Sequence, residues 1–183
     1  MDDKIRASFT GLASQDKGIQ NEAFTHILGL TDKPVDWAYE VWDDMVRWLA
    51  SKDNHLRAIS AQILCNLAKS DPNQRILKDF PALLTVTRDE RFVTARHCLQ
   101  ALWKVGLAGK KQEQLLVDGL AYRFNECLSE KNCTLIRYDI IQDFKNLYDA
   151  MQDESLKEKA LELISTEEDV KYRKKYAGVW KSR

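Results

Sequence analysis

The side chains with chemistry to offer are not grouped as catalysis needs them. Three histidines occur, His26, His55 and His97, and none has a serine, cysteine or carboxylate partner at a recognisable catalytic spacing. There is no glycine-rich phosphate loop, no H-E-x-x-H pair and no nucleophile elbow. The cysteines, Cys65, Cys98, Cys127 and Cys133, form no C-x-x-C pair and no Cys/His cluster with zinc spacing. No metal and no cofactor are expected. Recognition chemistry is what remains. Gln62, Gln100 and Gln142 hold the same place in three successive repeats of the sequence. A line of amides suits the backbone of an extended peptide, because each offers both a donor and an acceptor. The C-terminus offers something different. Six bases (Lys171, Arg173, Lys174, Lys175, Lys181, Arg183) follow one another without an acid, interleaved with Tyr172, Tyr176 and Trp180. Cations among stacking rings suit single-stranded nucleic acid. The plainer reading is that the rings cap the last repeat's core, while the cations suit a helix C-terminus.

These residues must be positioned by helices. One block recurs: a turn, then apolar-Arg-x-x-small-x-x-apolar-apolar-x-x-apolar. Leu56, Arg57, Ser60, Ala61, Ile63, Leu64 and Leu67 show it best. Ile19, Gln20, Ala23, Phe24, His26, Ile27 and Leu30 form one copy, and Ile136, Arg137, Ile140, Ile141, Asp143, Phe144 and Leu147 another. A weaker copy opens at Thr94 and includes Cys98, Leu99, Leu102 and Val105. The openings step by about 40 residues, a period that marks repeat architectures. A second apolar stripe precedes each block. Trp37, Val41, Met45, Trp48 and Leu49 predict a helix over 35–50, with Asp32 as its cap and Pro34 in its first turn. Asp71 and Pro72 open a helix over 73–87, which Pro81 should kink or break. Leu115, Leu116, Leu120, Phe124 and Leu128 form the next stripe, and Gly106 and Gly109 punctuate the join before it, with extra residues around 108–112. Leu156, Ala160, Leu161 and Ile164 begin a fifth unit, whose final helix opens at Val170. The repeats fall at 2–31, 32–70, 71–109, 110–150 and 151–183, in a single domain.

Bulk composition limits the partners only loosely. The chain of 183 residues is 44% apolar and 31% charged, enough for a core beneath a charged surface. Its 28 acidic and 28 basic residues cancel, so whole-chain charge selects no partner. The polar start Met1-Asp2-Asp3-Lys4 precedes no apolar signal region, and no run is long enough to span a membrane. A cytoplasmic protein is expected, and Met1 with the charged end suits a whole protein. Cys127 and Cys133 flank a polar turn that a disulfide could close, but a cytosolic setting favours free thiols.

Asp53, Leu56, Arg57 and Leu64 resemble the HEAT repeat of the armadillo-like superfamily. Ile136 and Arg137 match less fully, with Lys131 read in the acid's place; Asp16 and Gln20 keep the acid and lose the arginine; Asp89 lacks an arginine in register. The resemblance implies an all-α, right-handed α-α superhelix of about five helical hairpins. It also implies an Asp/Arg ladder through neighbouring turns, which these departures should break. The second helix of each hairpin would line a concave face. Positions two, six and ten after each opening would then be exposed: Asn21, Thr25 and Gly29; Ala58, Gln62 and Asn66; Arg96, Gln100 and Lys104; Tyr138, Gln142 and Asn146; Tyr172, Tyr176 and Trp180. The leading expectation is a non-catalytic protein-binding scaffold whose concave face takes a protein or extended peptide. The alternative is nucleic-acid binding through Arg96, Lys104 and the C-terminus. That alternative includes a likeness to HEAT-like alkylpurine DNA glycosylases, for which Trp103, Asp139, Asp143, Arg96 and Arg137 would be the site residues. The chain is short and weakly basic for an enzyme that wraps DNA.

Overall fold

A computed structural model describes residues 1–181; Arg183, one of the six C-terminal bases, lies outside the described residues. Among them are ten α-helices and no strand: α1 (Asp3–Leu12), α2 (Lys17–Thr31), α3 (Ala38–Trp48), α4 (Asn54–Leu67), α5 (Ile76–Val86), α6 (Phe92–Gly106), α7 (Lys110–Glu126), α8 (Cys133–Met151), α9 (Glu154–Ser165) and α10 (Val170–Ala177). The chain divides into two compact units, 1–98 and 99–183, with the division inside α6. No described helix is long and apolar enough to cross a membrane.

Aspartates start half of these helices. Asp2, Asp16, Asp53, Asp153 and Asp169 accept from the first-turn N–H groups of α1, α2, α4, α9 and α10. Each satisfies donors that the helix itself leaves orphaned. In the first unit the buried stripe side chains include Leu12, Ile27, Trp42, Met45, Leu64 and Leu83. Here α1 packs on α2, α3 on α4, and α4 on both α2 and α5. In the second unit α8 is central, packed against α7, α9 and α10, with Ile140, Phe144 and Leu147 buried. Gly106 is required by this packing. A Cβ there would stand 2.9 Å from a Leu147 methyl and 3.0 Å from one of Leu116. Gly109 begins α7 at φ 149°, a conformation that glycine adopts without strain.

Several local expectations are corrected. Asp32 ends α2 instead of capping α3, which starts at Ala38 without a side-chain cap. The intervening chain is held elsewhere: Val35 N donates to Ser70 Oγ, and Lys69 Nζ to the Asp32 carbonyl. Pro72 lies before α5, whose N-cap position is Arg75 and not Asp71; Asp71 Oδ2 nevertheless accepts from Ile76 N at 2.7 Å. α5 runs unbroken through Pro81, because Phe80, Leu83 and Val86 anchor it to the core around the one bond forgone. Only 107–109 join α6 to α7; Gln112 is already helical. Leu128 and Leu161 are exposed, so both fall off the stripes assigned to them. Cys127 and Cys133 form a disulfide, contrary to the free-thiol expectation. The 3-10 turn Cys127–Ser129 folds the chain back and brings the two Cα atoms to 5.1 Å.

Candidate functional site

The arginines of the repeat block are structural. Arg57 Nε and Nη2 donate to the two oxygens of Asp89 at 2.5 and 2.9 Å, and Nη1 donates to the Ser51 carbonyl. Burial alone would raise the Asp89 pKa, but the Arg57 hydrogen bond and the Arg91 N–H outweigh it and hold the carboxyl below its usual value. In the second unit Arg137 Nη1 donates to Glu167 Oε2 at 2.8 Å, and its guanidinium lies over Phe124. The expectation of a broken ladder is therefore corrected at these two turns: each arginine reaches an acid in the turn before the next repeat's second helix. Gln20, standing where an arginine would, donates to the Leu12 carbonyl instead.

Two concavities collect the candidate residues. The first, about 380 Å³, lies in the first unit and is lined from α2, α4 and α6. Asn21, Ala58 and Gln62 face it together with Gln20, His55 and His97, and Phe24 and Ile59 add apolar surface. Gln62 Nε2 rests on the Ala58 carbonyl at 3.1 Å. Asn66 is corrected: it is buried, its Nδ2 donating to Thr31 Oγ1 at 3.0 Å, so it serves the interior. Arg96 is half-buried on α6 and already engaged.

The second concavity, about 730 Å³, lies in the second unit between α8 and the C-terminal segment. Tyr138 and Gln142 line it, as do Lys145, Tyr148, Lys157, Lys175, Trp180 and Lys181. Tyr148 and Trp180 meet edge to face at 5.5 Å, with Lys145 Nζ 5.9 Å from both rings. Lys175 Nζ sits 4.9 Å from the Tyr138 ring. Gln142 Nε2 donates to Asn146 Oδ1 at 3.0 Å. Sequence reasoning missed Lys145, Tyr148 and Lys157. Tyr138, Gln142, Lys145, Asp149 and Gln152 recur at alternating four- and three-residue steps along α8, a one-face signal that was there to be found.

The other candidates fall outside these surfaces. Tyr176 is buried, its hydroxyl donating to the Thr134 carbonyl at 3.0 Å while its ring stacks on Tyr172, so the capping role of this residue replaces the exposed one. Gln100 is exposed and makes a long contact with Asp139, 3.4 Å; Lys104 is half-buried and engaged. Of the glycosylase-like set, Arg137, Asp139 and Asp143 are buried and Trp103 is half-buried. Asp143 is the extreme case. Both its oxygens are buried without a hydrogen-bond partner, and burial, then the charge of Asp139, pushes its pKa well above the usual value. His26 does have a serine partner, contrary to expectation: its Nδ1 lies 2.8 Å from Ser8 Oγ. Ser8 Oγ also lies 3.2 Å from the Lys4 carbonyl. Among the described residues no group of three His, Cys, Asp or Glu side chains is placed to hold a metal ion.

The described residues form an all-helical protein with a concave surface in each unit. No known protein family matches the chain, and no curated protein does. Three crystal structures of engineered proteins from the Northeast Structural Genomics Consortium share its fold. One is 16% identical, with a TM-score of 0.51, over 97% of this chain and 95% of its own. A second is 15% identical, with a TM-score of 0.50, over 98% of this chain, which spans about half of it (52%). The third is 16% identical, with a TM-score of 0.57, over 98% of this chain and 79% of its own. At these identities the likeness concerns the fold alone.

Proposed function

We propose that the five helix pairs are HEAT-like repeats, wound as the right-handed solenoid of that superfamily, and that the protein is a non-catalytic scaffold binding an extended peptide segment of a protein partner. The first-unit groove carries this reading. Three successive second helices contribute to it, amides and imidazoles offer donors and acceptors to a peptide backbone, and Phe24 and Ile59 offer an apolar floor for a side chain. The Arg57–Asp89 and Arg137–Glu167 contacts support the repeat assignment, because each links one block to the turn of the next. The burial of Asp139, Asp143 and Arg137 weighs against a glycosylase site built from them. A Cys127–Cys133 disulfide belongs to oxidising compartments, so the cytoplasmic expectation is not carried into this proposal.

Selection of random peptides displayed on phage against the purified protein tests the reading. Selected peptides should lose at least about tenfold in affinity when Asn21→Ala and Gln62→Ala are combined, about 1.4 kcal/mol, with thermal melting unchanged. Peptides that bind equally well to that variant, or no selected peptides at all, would refute the groove.

A further inference from the structure

We propose that the cleft of the second unit is a separate binding site, for single-stranded nucleic acid. This goes beyond the peptide reading and rests on different residues. The cleft combines two chemistries that such a strand needs. Lys145, Lys157, Lys175 and Lys181 supply positive charge for phosphates; Lys145 is paired with Asp149 and Lys157 with Glu154, which also accepts from the Tyr148 hydroxyl. Lys175 and Lys181 have no carboxylate partner among the described residues. Tyr138, Tyr148 and Trp180 supply rings for bases. Lysine heads already lie over these rings, Lys175 over Tyr138 and Lys145 over Tyr148 and Trp180. An incoming base takes the ring face while the flexible lysine turns to the neighbouring phosphate, so both partners gain at once. The Trp180 indole N–H is buried with no acceptor, an unmatched donor beside the same cleft.

The rings decide between polyanions. An acidic peptide would use the lysines and leave three aromatic side chains idle. Duplex nucleic acid keeps its base faces stacked inside, out of reach of a ring. A single strand uses both sets. The volume, about 730 Å³, lies within the range of about 300–1,000 Å³ typical of compact ligand sites, so it holds a short stretch of strand.

The test is fluorescence anisotropy of a labelled oligouridylate of about twelve nucleotides with the full chain, at about 50 and 200 mM salt. The expected result is binding that weakens with salt. Lys175→Glu, on an exposed position, lowers the log–log salt slope by about 0.7. Tyr138→Ala, on a half-buried surface position, weakens binding about tenfold with the fold retained by circular dichroism. Asn21→Ala with Gln62→Ala changes nothing, which separates this site from the peptide groove. Equal binding of polyglutamate would overturn the proposal in favour of an acidic protein partner. Indifference to Tyr138→Ala, no binding at the lower salt, or competition by free uridine monophosphate as effective as that of the strand would overturn it as well.

Discussion

Arg57 in α4 grips Asp89, thirty-two residues ahead in the turn before α6, through two parallel hydrogen bonds, one to each carboxylate oxygen. Arg137 and Glu167, thirty residues apart, repeat the relationship in the second unit with one such bond. A bidentate arginine fixes angle as well as distance, so the contact sets how one helix pair docks on the next turn.

Arg57→Ala should therefore destabilise the first unit by about 3 kcal/mol, because it strands a carboxylate that is nearly inaccessible to water. Arg57→Lys should recover only part of this, since an ammonium cannot make the paired contact. Urea unfolding followed by circular dichroism reads both. Asp89 binds its proton less readily folded than unfolded. Its contribution is thus present above about pH 4 and lost as pH falls through its lower folded value. Arg57→Ala should flatten that acid limb.

Asp143 runs the other way. Unfolded, it releases its proton near pH 4; folded, burial and the Asp139 charge hold the proton well above that value. From about pH 4 upward the folded chain binds more protons than the unfolded one, so stability declines with rising pH until the folded pKa is passed. Asp143→Asn should remove this slope, and Asp143→Leu should stabilise the protein by about 1–3 kcal/mol. Urea midpoints at about pH 5 and about pH 8 measure both effects.

Tyr176 closes the core of the second unit. Tyr176→Phe keeps the ring and gives up the hydroxyl's bond to the Thr134 carbonyl, a loss of about 1 kcal/mol. Tyr176→Ala also opens a cavity against Phe124 and should cost about 3–5 kcal/mol. Thermal denaturation separates the two. A larger loss for Tyr176→Phe than for Tyr176→Ala would contradict the capping role.

Thiol titration of the denatured, unreduced protein should count two cysteines, Cys65 and Cys98. Replacing Cys127 and Cys133 with serine should lower stability by about 2 kcal/mol, the loop-closure value for so short a loop.

The helical organisation was legible because apolar side chains at three- and four-residue steps leave few other ways to bury them. Val170 opens α10, as its turn indicated. The ladder was missed because it was judged by a strict acid–arginine pattern. Glu167 is a glutamate, and Asp89 lies further from its repeat opening than Asp53 does from its own. Asn66 and Tyr176 looked exposed because the resemblance places positions two, six and ten after each opening on the open face. Inside, Thr31 and the Thr134 carbonyl match them. The second cleft was read in part: Tyr138 and Gln142 of α8 and Trp180 were named, while Lys145 and Tyr148 of α8 and Lys157 of α9 were not, because sequence distance hides which residues of separate helices share a space.

The central claim is that an extended peptide is recognised along α2, α4 and α6 of the first unit. Amide and side-chain chemical-shift mapping with a selected peptide tests it most directly. Saturable perturbations gathered on Asn21, Phe24, His55, Gln62 and His97 are the predicted result. Perturbations confined to the second unit, or scattered over no contiguous surface, would contradict it.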